Sequence, residues 1–213
     1  MKYRKLVENA KKPNGFWGKM MIKAMNKGHS SLTSWGLEHM NIERTATVLD
    51  IGCGGKTVDR LCSIVANGKV YGIDYSELSV KSSEKLNSKN ILCNKAKILQ
   101  ASVSDMPFDD NTFNNITAVE TYYFWPDKEN DVKEVFRVLK QGGTVMLLFE
   151  MLRTDDDPFK WEKVENMLNI KSVTPQEIRA VLESAGFENI NTYTKEGTTW
   201  LCATAQKPKD DEN

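Results

Sequence analysis

Two aspartates and the glycines between them are the residues whose types and spacing point most directly to chemistry. The segment TVLDIGCGGKT, Thr47 to Thr57, runs Val48, Leu49 and Ile51 into Gly52, Gly54 and Gly55. This is the pattern of an apolar strand entering a turn that opens a helix. Glycines there let the backbone reach positive φ and approach a bound molecule. The first N–H groups of the helix have no intrahelical acceptor and can hydrogen-bond a polar or anionic part of that molecule. Asp50, at the strand end, would repel a pyrophosphate and suits an ammonium or sulfonium group. The dinucleotide pattern G-x-G-x-x-G fails at the same place, because Thr57 stands where the third glycine is needed. A second apolar run, KVYGIDYS, ends in Asp74. It follows Gly54 by about twenty residues, the offset at which an acidic side chain accepts hydrogen bonds from ribose hydroxyls. The ligand implied is ribose-bearing and locally positive.

A third group of candidates lies in TAVETYYFWPD, where Glu120, Thr121, Tyr122, Tyr123, Phe124 and Trp125 follow another apolar run. Glu120, Tyr122 and Tyr123, with His29 and His39, are the side chains able to act as a base. The aromatic residues could wall a pocket and hold a positively charged group by cation–π attraction. The four cysteines, Cys53, Cys62, Cys93 and Cys202, match neither zinc nor C-x-x-C redox spacing, so no metal site is expected and they read as reduced core thiols. Cys53 lies inside the glycine turn as a small residue whose backbone N–H is what counts.

Four ordered motifs, VLDIGCGG, VYGIDYS, ASVSDMPFDDNTFNNITAVETYYFWPD and EVFRVLKQGGTVMLLFE, carry a resemblance to class I S-adenosylmethionine-dependent methyltransferases. The branch resembled is the small-molecule one that includes ubiquinone and menaquinone biosynthesis methyltransferases, and the similarity is strong over roughly residues 45 to 150. It implies S-adenosylmethionine as cofactor. Asp50, Gly52, Cys53 and Gly54 would hold the methionine part, Asp74 the ribose hydroxyls, and Tyr75 would pack on the adenine. Glu120 and Thr121 would line the methionine and methyl region. Where the family has Gly-Asp-Ala, this chain has Ala101, Ser102 and Val103, so the usual adenine-binding carboxylate is a hydroxyl, with Asp105 three residues on as a substitute. Lys56 stands at, or just after, a glycine the family often shows.

The elements that must position these residues alternate in the manner of a parallel sheet. Strands are expected over 69–74, near 97–103, over 115–120 and over 144–151, with helices capped by Ser76 and Asp127 and the latter stopped by Gly142 and Gly143. Thr174-Pro175-Gln176-Glu177 is a capping box opening a helix that closes at Gly186. Strands 189–194 and 198–206 are expected as a hairpin about Glu196-Gly197. The fold predicted is α/β, a Rossmann-like, doubly wound and mostly parallel seven-stranded sheet with an antiparallel C-terminal hairpin and an N-terminal helical cap. The division expected is a cap over 1–44 and a core over 45–207. Within the core, 153–172 reads as an insertion near the crevice, and 208–213 as a disordered tail. In the cap, Phe16, Trp17, Met20, Met21, Ala24 and Met25 share one apolar helix face, and Ser30 or Ser31 is available to cap the next helix.

Composition bounds the function. At 213 residues there is room for one ordinary core but no second enzyme domain, and Lys plus Arg equals Asp plus Glu at 29 each, so nucleic acid is not the expected partner. No signal-peptide core and no run of eighteen apolar residues occurs, so a cytoplasmic protein with no membrane span is expected. The function read is methyl transfer from a sulfonium to a small-molecule acceptor, of unread atom type, by in-line displacement. A non-catalytic cofactor-binding or sensor domain and a nicotinamide oxidoreductase are the readings from other classes. Oligomeric state is not encoded legibly.

Overall fold

The computed structural model describes residues 9–209. Two helices, α1 (Gly15–Gly28) and α2 (Ser30–Leu37), precede an alternation of β1 (Thr47–Ile51), α3 (Thr57–Ile64), β2 (Lys69–Asp74), α4 (Glu77–Leu86), α5 (Ser88–Leu92), β3 (Ala96–Gln100), β4 (Phe113–Val119), α6 (Lys128–Val138) and β5 (Leu139–Phe149). A single 3-10 turn, Tyr122–Phe124, lies between β4 and α6; α7 (Glu162–Leu168), α8 (Pro175–Ser184), β6 (Glu188–Thr194) and β7 (Leu201–Gln206) complete the order. The seven strands form one sheet in the order β3-β2-β1-β4-β5-β7-β6. β1 to β5 are parallel and β7 runs antiparallel to both β5 and β6. This is the Rossmann-like, mostly parallel sheet with an antiparallel C-terminal hairpin that the sequence pattern predicts.

The reason for the parallel arrangement is visible in the strands. β1 and β4 are buried on both sides because helices cover both faces of the sheet. Val48 packs with Val58, Leu61, Val65, Val70 and Ile98 under α3, whereas its neighbour Leu49 packs with Ile73, Phe113, Ile116, Val135 and Ile178 on the opposite side. α2 covers a third cluster, with Leu32 against Met146, Leu148 and Cys202. Gly36 permits that approach, since a Cβ there would meet Leu148 at 2.6 Å. No helix among the described residues is long and apolar enough to cross a membrane.

Local signals set the helix starts. The Ser76 hydroxyl accepts from the Ser79 N–H, the Asp127 carboxylate from the Asn130 N–H, and Thr174 and Glu177 complete the reciprocal capping box with Pro175 at the first helical position. Three expectations fail. Gly142 and Gly143 do not stop α6, which ends at Val138; they sit inside β5, where the pairing with β4 slips between Phe113 and Asn115 and Gly142 adopts φ 70°. A strand irregularity can use a positive-φ glycine just as a helix C-terminus can, so the glycine pair alone does not distinguish them. Neither Ser30 nor Ser31 caps α2: the chain passes from α1 through His29 with no side-chain cap, and Ser30 accepts from Arg60 instead. The third strand stops at Gln100, ahead of Val103. Of the expected tail, residues 210–213 lie outside the described residues, as do residues 1–8 of the expected cap.

Gly72, in the middle of β2, faces the glycine turn. A Cβ there would come within 2.7 Å of the Cys53 Cβ, 2.8 Å of its Sγ and 2.9 Å of Ile98 Cδ1. Gly72→Ala should therefore lower stability by about 1–3 kcal/mol through overpacking, read as a lower urea midpoint with unchanged slope.

Candidate active site

β1 lies between β2 and β4, so the carboxyl ends of these three strands meet where the sheet order reverses, the place at which open parallel sheets bind ligands. Beyond β1 the chain turns at Gly52, which has φ 78°. The Gly52 and Cys53 N–H groups both donate to the Ile73 carbonyl, at 2.8 and 2.9 Å, which ties the turn to the end of β2. A side chain on Gly52 would fall on Thr121, and one on Gly54 would stand 3.0 Å from Ser79 Cβ and 3.4 Å from Asp74 Oδ2. The bare backbone of Gly52, Gly54 and Gly55 thus forms one wall of a cavity of about 850 Å³, and α3 begins at its edge with no side-chain cap.

Asp74 stands at the tip of β2 facing this wall. Its Oδ1 accepts from the Ser76 N–H at 2.8 Å, and the Gly54 N–H and Ser79 hydroxyl also serve it. Burial outweighs those hydrogen bonds and pushes its carboxyl up to about 6. Tyr75 lines the cavity beside it, its hydroxyl donating to the Lys11 carbonyl and the Lys12 ammonium lying 5.5 Å from its ring centre. Ser102 and Val103 line the same end, with the Ser102 hydroxyl accepting from the Ser104 N–H at 3.2 Å; Asp105 is not on the wall.

Asp50 and Cys53 stand behind the wall rather than on it. Asp50 is 2% exposed, and its Oδ1 accepts from the Thr117 hydroxyl of β4 at 2.7 Å. Burial raises its carboxyl to about 7, the Thr117 bond opposing and Asp74 adding to the rise. Cys53 is fully buried against Gly72 and its thiol is raised well above the usual range, first by burial and then by Asp50 and Asp74. An inert thiol filling the gap left by a glycine follows from this placement.

The tip of β4 supplies the other wall. Glu120 adopts φ 58°, a left-handed conformation uncommon for a residue with a side chain. Its Oε1 accepts from the Glu150 N–H at the end of β5 and, at 3.4 Å, from the Tyr123 hydroxyl, which in turn accepts from the Met151 N–H at 3.0 Å. Burial pushes Glu120 up to about 8. His29, at the α1–α2 junction, reaches the same place: its Nε2 is 3.6 Å from Glu150 Oε2, and one ligand atom each of His29, Glu120 and Glu150 lie within 4.8 Å of one another. Burial lowers the His29 pKa more than Glu150 raises it. The trio could therefore accept a proton, face a cation or hold a metal ion.

Thr121, Tyr123, Phe124 and Trp125 line the cavity; Tyr122 does not, turning into the core against Trp125 and Phe149. His39 stacks on Tyr193 at 4.1 Å, away from the cavity. Sequence reasoning names Met25 within an apolar helix face and 153–172 as an insertion near the crevice, but does not single out Ile22, Asn26, Arg60, Asn166, Ile170 and Lys171, which share the wall with Met25. The apolar face expected from Phe16, Trp17, Met20, Met21, Ala24 and Met25 is divided in the structure: Phe16, Met20 and Ala24 are exposed, whereas Met25 lines the cavity together with Ile22. Asn26 and Arg60 are polar residues on helices whose pattern does not mark them as facing a ligand, and Asn166, Ile170 and Lys171 lie within the segment read as an insertion near the crevice.

Residues 49–147 match the family described as Methyltransferase domain. The chain is 30% identical over 181 residues to the ubiquinone/menaquinone biosynthesis C-methyltransferase UbiE of Cronobacter sakazakii, covering 73% of this chain and 72% of that one. It is 27% identical over 183 residues to the uncharacterized methyltransferase YdaC of Bacillus subtilis, covering 84% and 93%. Among solved structures, an S-adenosylmethionine-dependent methyltransferase from Aquifex aeolicus superposes with a TM-score of 0.67 at 21% identity, covering 86% of this chain and 95% of that one. A cradle with no room for a side chain at Gly52 and little at Gly54, with a carboxylate at the neighbouring strand tip, fits the adenosyl cofactor that this family uses. The chain belongs to the methyltransferase-domain family and is an S-adenosylmethionine-dependent methyltransferase.

Proposed function

We propose that the chain methylates a small, largely apolar acceptor, and that the two strand tips flanking β1 divide the work. The observation that carries this reading is that Asp74 and Glu120, on β2 and β4, open into one cavity from either side of the same glycine turn. Asp74 accepts from the ribose hydroxyls, the backbone from Gly52 to Thr57 holds the methionine part, and Tyr75, Ser102 and Val103 flank the adenine. Asp50 acts through the sheet, holding β4 against β1 beneath the turn. Glu120, Tyr123, Phe124 and Trp125 with Ile22, Met25 and Ile170 enclose the acceptor. The apolar groups of that wall, Ile22, Met25, Phe124, Trp125 and Ile170, and the quinone named for the UbiE relative, support an apolar substrate. Of the cap expected over 1–44, Ile22 and Met25 face the cavity beside residues of the core expected over 45–207, and buried free thiols at Cys53, Cys62 and Cys202 support a cytoplasmic setting.

Bound S-adenosylmethionine supplies an electrophilic methyl group on a sulfonium with a good leaving thioether. The protein's share is alignment and exclusion of water, worth up to about 7–11 kcal/mol when the geometry is fixed. The Glu120 carboxylate, once ionised, stabilises positive charge on the neighbouring wall, and neutral His29 can take a proton from an acidic acceptor. A labelled S-adenosylmethionine assay on metabolite extracts tests the whole reading: a labelled small molecule is expected, and cofactor binding without any labelled product would contradict it.

Removing the ribose-facing carboxylate in Asp74→Ala should weaken cofactor binding by at least about 1 kcal/mol in calorimetry; unchanged affinity would take Asp74 out of the site. The raised carboxyls also set a pH dependence. Asp74 and Glu120 stand above ordinary carboxyl values without ligand, at about 6 and about 8, so the stability their protonated forms contribute is full below about 4. That contribution is lost as pH rises through 6 to 8. A cationic ligand favours the ionised forms. Its affinity should therefore increase from pH 5.5 to 8 with proton release, measured by calorimetry in buffers of different ionisation enthalpy, and Glu120→Gln should flatten the upper part of that rise.

A further inference from the structure

The neutral overall balance of the chain hides a strong asymmetry. The first 37 residues contain eight Lys and Arg against one Glu, and from Asn9 to Leu37 there are five lysines and no acidic residue at all. Structure concentrates this charge on one helix face. Lys19, Lys23 and Lys27 recur at four-residue spacing along α1, all exposed, and none has an acidic partner among the described residues. Beside that row, at the same spacing, lie Phe16, Met20 and Ala24; Phe16 is 69% exposed and Met20 44%. Trp17 is half-buried, edge-on to Phe16 at 5.7 Å.

The opposite side of α1 has a different task. Gly18 is buried against Pro13 and Leu78, while Ile22, Met25 and Asn26 face the cavity. One helix therefore walls the acceptor site on its inner side and exposes aromatic and thioether groups among lysines on its outer side. Exposed apolar side chains beside a row of lysines is the pattern of a helix lying in the plane of a lipid interface. The apolar groups enter the acyl boundary and the ammonium groups meet anionic headgroups.

We propose that the outer face of α1 docks on an anionic lipid surface and that the chain works there, with an apolar acceptor reaching the cavity from beneath the helix. The choice of a lipid surface over a nucleic acid rests on Phe16 and Met20, which a phosphate backbone would leave exposed. The delivery of acceptor rests on the methyl-transfer reading above; the docking itself does not.

The test is flotation of the full chain with vesicles of neutral phosphatidylcholine, and of phosphatidylcholine with 30% phosphatidylglycerol, at about 0.1 M salt. Binding to the anionic vesicles is expected, with loss at 0.5 M salt. The triple variant Lys19→Glu, Lys23→Glu, Lys27→Glu should lower the partition by about 100-fold or more, and Phe16→Ser with Met20→Ser should lower it on the same vesicles. Equal partition of the native chain to both vesicle types, no partition, or variants that bind as well as the native chain would overturn the proposal. So would retention by duplex DNA or RNA at the same salt that exceeds retention by vesicles. Calorimetry with S-adenosylmethionine on the same samples separates the two readings: vesicle binding without cofactor binding keeps the docking and removes the site assignment, and the reverse result does the opposite.

Discussion

Three carboxyl groups brought to adjacent strand ends, without a lysine or arginine ion pair to any of them among the described residues, form the constraint on which the site depends. Asp50, Asp74 and Glu120 each lie where burial opposes ionisation, and each is raised above the ordinary carboxyl range. Hydrogen bonds from Thr117, Ser76 and the Glu150 N–H hold them in place but do not neutralise them. Such an arrangement costs stability while the cavity is free of cations. It becomes favourable when a positive ligand enters, so the binding energy of a sulfonium compound is partly prepared in the fold.

Packing around β1 makes this possible. The glycine turn is pinned to β2 through two N–H donors on one carbonyl, and it fits only because Gly72 leaves room for Cys53 and because Gly52 carries no side chain to strike Thr121. Glu120, in a left-handed conformation, is held by the Tyr123 hydroxyl and the Glu150 N–H within reach of His29. Preorganised groups of this kind need little rearrangement when a reaction develops charge. The strand tips and the glycine turn build one side of the cavity, and α1 with the segment around α7 closes it.

The sequence by itself determined the sheet, its parallel core and the glycine turn with Asp74 at the neighbouring strand tip, because those depend on contiguous signals: apolar runs of strand length, glycines at a turn, an acidic residue a fixed distance on, and capping residues such as Ser76 and Thr174. It also marked Glu120 and His29 as chemically able, though not as neighbours. Tertiary structure alone decided that Asp50 supports the turn from behind, that Tyr122 faces the core while Tyr123 faces the cavity, and that Glu150 joins His29 and Glu120. Those outcomes follow from strand pairing, helix docking and the slip in β5 at Gly142, which place residues far apart in the chain within a few ångströms of one another. A local pattern carries the direction of a backbone but not the identity of what will pack against it.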